Sequence, residues 1–107
     1  MMKTNKIFHY KKYRVKLVYT KYISNNSLAV VMVDASTSEP ITNITSNISN
    51  HVLPNTQFVD INNNPGIEEF LQINKLAKRL DYEERSGYCT YPLYQFYIPE
   101  ESEVKNG

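Results

Sequence analysis

The run Tyr13-Arg14-Val15-Lys16-Leu17-Val18-Tyr19-Thr20-Lys21-Tyr22 decides the fold class. In an extended chain Tyr13, Val15, Leu17 and Tyr19 fall on one face, and Lys12, Arg14, Lys16 and Thr20 on the other. Such alternation, rich in β-branched and aromatic residues, describes a strand half buried in a sheet, with only Val18 interrupting its polar side. Working outward, residues 6–10 read as a preceding strand joined through a Lys11-Lys12 turn, and Ser24-Asn25-Asn26-Ser27 marks the next reversal. Residues 28–33 are continuously apolar, as suits a central strand covered on both faces. Residues 36–40 turn again, and residues 41–49 set Ile44 and Ile48 among Thr, Ser and Asn, as in a solvated edge strand. Strands joined by such short turns predict an antiparallel meander.

The pattern changes in the second half. Phe58-Val59-Asp60 is a short extended piece, after which Asn64 is placed to cap a helix whose first position is Pro65. Glu68 and Glu69 suit its first turns, Ile67, Phe70 and Leu71 line one face, and Asn74 ends it in a left-handed conformation. Ile73, Leu76, Ala77 and Leu80 repeat at helical spacing and either extend this helix or begin another turn. Residues 81–87 read as a charged loop. Residues 88–98 form a final aromatic strand, with Pro92 near its start marking a strand end or edge, and residues 99–107 a polar tail. The expectation is an α+β fold with an antiparallel meander of about five strands and one main helix packed on one face. It is a single domain over residues 1–107, with its ordered core at residues 6–98.

A chain of 107 residues, 41% of them hydrophobic, has room for one core and no second. Its longest apolar run, residues 28–33, falls far short of the roughly 20 residues that span a bilayer, and no signal-peptide pattern opens it, so a cytoplasmic protein without membrane contact is expected. A single cysteine, Cys89, excludes an intrachain disulfide and a thiolate-rich zinc site. The net charge of +1 hides an asymmetry: residues 1–22 hold seven basic side chains and no acid, the remainder five basic against eleven acidic. Neither uniform basicity, which favours nucleic acid, nor the uniform acidity of a DNA mimic describes the whole. Asn, Ile, Lys and Tyr, the residues of A/T-rich codons, make 39 of 107 positions and point to a low-GC bacterium or an element living in one. The same bias accounts for the Asn-x-Ser/Thr triplets at Asn25, Asn43 and Asn47.

No residue cluster reaches a specific catalytic motif. Cys89 would need a base, offered only by His9 or His51 with Asp60 as orienting acid, at spacings of no known signature; the same histidines with Asp60 or Asp34 lack metal-site spacing. The adjacent pairs Glu68-Glu69, Glu83-Glu84 and Glu100-Glu101 do not converge as a general acid and base must, and Gly66, Gly87 and Gly107 form no phosphate cradle. A non-enzyme without cofactor or metal is therefore expected. Two stretches are candidates for binding. Lys12, Arg14, Lys16 and Lys21, interleaved with Tyr10, Tyr13, Tyr19 and Tyr22, could engage nucleic acid, although the tyrosines fall largely on the core side and the cations suit a solvated face. Tyr88, Tyr91, Tyr94 and Tyr97 form the densest aromatic cluster and suit a protein interface. Alternation sends Tyr94, Phe96 and Ile98 one way and Leu93, Gln95 and Tyr97 the other, and the less apolar set, with Tyr97, is expected to face outward.

Leu53-Pro54-Asn55, Phe58-Val59-Asp60 with the Asn run, Pro65, Glu69-Phe70 and Ser86-Gly87-Tyr88-Cys89-Thr90-Tyr91-Pro92 with Tyr94 and Phe96 resemble a family of small uncharacterised bacterial proteins, a domain of unknown function. The likeness is densest from Leu53 to Phe96. It departs at Gly66-Ile67, where relatives often carry an aromatic, and at Asn74, where they often carry glycine. The resemblance implies a single domain frequent on plasmids, conjugative elements and phages of low-GC Gram-positive bacteria, and it carries over no catalytic residue. That setting implies a partner in a host defence complex, bound and blocked in the manner of anti-CRISPR and antirestriction proteins. The alternative is a small nucleic-acid-binding accessory or regulatory protein; the same surfaces leave homodimerisation open.

Overall fold

The structure, a computed structural model, describes residues 2–50 and 52–99. His51, the Glu100-Glu101 pair and the expected polar tail beyond Pro99 lie outside them. The chain runs β1 (Met2–Lys3), β2 (Phe8–Tyr10), β3 (Tyr13–Lys21), β4 (Leu28–Asp34), β5 (Pro40–Asn43), β6 (Thr45–Ser46), β7 (Thr56–Val59), α1 (Ile67–Ile73), β8 (Ala77–Ser86) and β9 (Cys89–Phe96). The α+β class holds, with antiparallel strands dominant and a single short helix among the described residues.

The alternation in β3 is realised over its middle: Val15, Leu17 and Tyr19 are buried and Arg14 on the other side is exposed, whereas Tyr13 and Lys21, at the two ends of the inner side, are exposed. β3 pairs with β4 from Val15↔Asp34 to Lys21↔Leu28, and β4 with β5, which gives the expected meander. The far side of β3 is covered by β2 at one end and β1 at the other. Between them Thr4 bridges the break: its N–H donates to the Leu17 carbonyl and its hydroxyl accepts from the Leu17 N–H. The Asp34 carboxylate closes the β4–β5 turn by accepting from the N–H groups of Ser36 and Thr37. Those backbone bonds, Thr37's first, hold it below its usual pKa, aided by nearby Arg14.

The single sheet expected is in fact two. The edge strand anticipated at residues 41–49 divides at Ile44 into β5, at the edge of the first sheet, and β6, at the edge of a second sheet ordered β6-β7-β9-β8. Ile44 is fully buried at the crossing, donating its N–H to Val30 and accepting from the Asp60 N–H. One apolar cluster serves both sheets, joining Val15, Leu17, Val30 and Met32 to Val59, Ala77, Tyr94 and Phe96. Gln57 of β7, wholly buried, stitches them: its amide donates to the Ser27 hydroxyl and the Leu28 carbonyl, and its Oε1 accepts from the Phe58 N–H.

The helix differs from expectation at both ends. Asn64 does not cap it; the N-cap is Gly66 with φ of +80°. Asn64 is instead buried between segments, accepting from the Thr42 hydroxyl and donating to the carbonyls of Asn43 and Asp60. At the C-terminus the left-handed residue is Lys75, with φ of 54°, not Asn74. The Leu76 N–H bonds to the Leu71 carbonyl and the Lys75 N–H to Gln72, the paired bonds of a Schellman ending. The helical spacing of Ile73, Leu76, Ala77 and Leu80 therefore stops at the cap, and residues 77–86, anticipated as helix and charged loop, are the strand β8. Lysine in a left-handed conformation is strained, so Lys75→Gly is expected to raise stability by up to about 1 kcal/mol in urea denaturation.

Phe70 of α1 packs edge-on against Phe8 and Tyr10 of the first sheet. From the second sheet the buried Tyr94 donates its hydroxyl to Glu68 (2.7 Å) and accepts from the Gln72 amide (3.0 Å). Pro92, expected at a strand end or edge, is buried within β9. β7 pairs with β9 only as far as Leu93, so the missing N–H falls where that ladder has ended. Opposite, between Arg79 and Glu83, β8 bulges.

Candidate functional site

The two candidate stretches occupy different sheets. On the outer face of the first, β3 presents Arg14, Lys16, Val18 and Thr20, with His9 paired to Arg14, Lys3 to Val18, and Val33 and Val31 of β4 to Lys16 and Val18. Lys3 donates to the Ser38 hydroxyl. Lys12 lies in the β2–β3 turn with its ammonium 5.7 Å from the centre of the Tyr13 ring, and Lys11 similarly covers Tyr10 at 5.4 Å. Both ion pairs among the described residues belong to Arg79 of the second sheet, with Glu68 at 2.8 Å and Glu83 at 3.4 Å. The cations of the first sheet thus form a face without salt-bridge partners among those residues. Lys21 does not belong to this face: it shares the parity of Tyr19, on the opposite side of β3 from Arg14 and Lys16. Of the interleaved tyrosines, Tyr10 and Tyr19 are core residues and Tyr13 is exposed.

The aromatic candidates separate as well. Tyr94 is fully buried, which corrects its candidacy for a partner surface; burial and the Glu68 carboxylate push its hydroxyl up to about 12. Tyr97 faces outward, half exposed, and Tyr91 is half buried. Tyr88 is fully exposed in the two-residue hairpin turn between β8 and β9, where Gly87 supplies a φ of +62°. Tyr88 and Tyr97 stand at opposite ends of β9, roughly 30 Å apart along an extended strand, and cannot form one patch.

What brings aromatics together is a residue the sequence reading left in a loop. Tyr82, on the bulge of β8, lies against Phe58 at 6.1 Å between ring centres. Phe58 pairs with Leu93, and Tyr91 shares the parity of Leu93, so these residues and Tyr82 lie on the outer side of the second sheet, where Tyr82 is exposed, Leu93 and Tyr91 are half-buried and Phe58 is buried. Glu84, paired with Tyr91, borders it on β8 and accepts from the Tyr82 hydroxyl at 3.1 Å, whereas Glu83, paired with the buried Pro92, lies on the inner side with Arg79. Period-two alternation could have flagged Tyr82 only had residues 80–86 been read as a strand.

Among the described residues the catalytic candidates come together only in part: Cys89 and Asp60 both lie near Tyr91, without His9. Cys89 is paired with Ser86 and acts on Tyr91, whose hydroxyl is raised by burial and by nearby Cys89 and Asp60; His9 lies on the outer face of the other sheet. Among the described residues no three of His, Cys, Asp and Glu are grouped to hold a metal ion, and no helix is long and apolar enough to cross a membrane. No curated protein and no solved structure matches the chain significantly. Residues 16–106, most of the chain, match the model of a domain of unknown function, DUF4313, and the chain belongs to that family.

Proposed function

We propose that the chain is a non-catalytic binding protein, encoded by a plasmid, phage or conjugative element of a low-GC bacterium, that inhibits a host antiphage defence complex by docking on it. The observation that carries this reading is the outer face of the second sheet, where the exposed Tyr82 lies over the buried Phe58 and the half-buried Tyr91 pairs with Glu84. Tyrosine rings beside the Glu84 carboxylate complement the basic channel through which a nuclease takes nucleic acid: the rings supply contact area and the carboxylate opposes the channel's cations. The mobile-element setting rests on the family likeness and on the A/T-codon composition. A pull-down from a low-GC host lysate tests the reading. The tagged wild type is expected to recover one defence nuclease complex, and Tyr82→Ser combined with Glu84→Lys to lose it while keeping the melting temperature. Equal recovery by both proteins removes this face from the interface.

The cationic face of the first sheet favours a second reading, a small accessory or regulatory protein that binds nucleic acid. Replacing Lys12, Arg14 and Lys16 by Gln is then expected to abolish salt-sensitive retention on heparin or single-stranded DNA, since each phosphate contact contributes to the salt slope. Elution of the wild type at low salt ends that reading.

A further inference from the structure

A cleft of about 590 Å³ opens where the end of β3 meets the segment after β6. Met2, Leu28, Leu53 and Ile98 give it apolar walls, and Asn26 and Asn55 line it with amides. Among the described residues no Asp or Glu lines it, and Lys21 is the one cation that does. The amide of Asn25 ties this region together by donating to Asn47 and Asn50, at 2.9 and 3.0 Å. Tyr19 lines the same cleft and is only 3% exposed, yet its hydroxyl has no hydrogen-bond partner among the described residues. Such a group is rare, because a buried hydroxyl that gives up water without finding a partner is a net loss to the fold. Burial pushes this hydroxyl up to about 12, so it remains a donor at neutral pH. Tyr19 and Lys21 stand two residues apart on β3 and leave it on the same side, with Cα atoms roughly 7 Å apart.

We propose that this cleft binds a small carboxylate with an apolar body, one oxygen accepting from the Tyr19 hydroxyl and the anion facing the Lys21 ammonium. The chain lies along Met2, Leu28, Leu53 and Ile98. The volume falls in the range of small-molecule sites, and a ligand of this kind supplies the acceptor and the anion that Tyr19 and Lys21 lack among the described residues. This site is separate from both proposed interfaces and stands or falls without them.

Octanoate, with octan-1-ol as its neutral counterpart, is the probe, titrated into the full-length ¹⁵N-labelled chain. Octanoate is expected to give saturable shifts confined to amides around the cleft, and octan-1-ol to bind at least about tenfold more weakly. Tyr19→Phe and Lys21→Gln are each expected to weaken octanoate by about tenfold, the value of a charge-assisted hydrogen bond. Tyr19→Phe should keep or raise the wild-type melting temperature, because it removes a buried hydroxyl that has no partner among the described residues. Dispersed or non-saturating shifts, equal binding of octanoate and octan-1-ol, or wild-type octanoate binding by Tyr19→Phe overturns the proposal. A lowered melting temperature of Tyr19→Phe does so too, since it would reveal an internal partner.

Discussion

Tyr94→Ala is expected to lower folding stability by about 3–5 kcal/mol, while Tyr97→Ala, three residues on, changes it by less than about 1 kcal/mol. Tyr94 has no exposed surface and Tyr97 is 52% exposed, so only the first truncation opens a cavity. The first also removes the hydroxyl that joins α1 to the second sheet through Glu68 and Gln72, leaving the Gln72 amide without this partner. Tyr94→Phe separates the two contributions: it keeps the ring and is expected to cost about 1–2 kcal/mol, the value of hydrogen bonds that include one to a carboxylate. Urea denaturation of the three variants reads this order directly. Equal loss from Tyr94→Ala and Tyr97→Ala would mean that the outer side of β9 is packed as tightly as the inner.

Gln57→Ala is expected to cost about 3 kcal/mol or more, because it empties a fully buried site and breaks the side-chain bonds between the two sheets. Gln57→Leu restores most of the volume but none of the polar contacts, so the Phe58 N–H loses the Oε1 it donates to and the Leu28 carbonyl loses the amide it accepts from. It is expected to recover part of the loss and remain about 1–3 kcal/mol below wild type. A Gln57→Leu protein as stable as wild type would show that apolar packing alone joins the sheets. Thermal melts alongside urea titrations measure both variants.

Much of the first sheet was legible because strand alternation is a local property. Each residue's side is set by its neighbours two positions away, so the buried Val15, Leu17 and Tyr19 and the exposed Arg14 could be assigned without knowing their partners. The same rule placed Tyr94 and Phe96 inward and Tyr97 outward. It did not reach β8. There Leu76, Ala77 and Leu80 fit a helix as well as a strand, and what decides is the left-handed Lys75, which ends α1, together with the ladder to β9. Of the candidate surfaces, the cations of β3 could be read from the chain, but the aromatic face could not. Tyr82 reaches Phe58 across a bulge, and bulges leave no period to read.

By itself, then, the amino-acid sequence determined the strand-rich α+β character, the inner and outer sides of β3 and β9, and a basic stretch opposed to an apolar one. Only the tertiary structure decided that residues 40–46 cross from one sheet to a second, that Gln57 and Asn64 are buried as polar ties, and that Tyr19 and Lys21 share a cleft with Leu53 and Ile98. The physical reason is the range of the interactions. Side-chain alternation is imposed within a few residues by backbone geometry, whereas sheet membership and the environment of a polar group depend on residues 21 to 79 positions away, as Asn64 with Asn43 and Tyr19 with Ile98 illustrate.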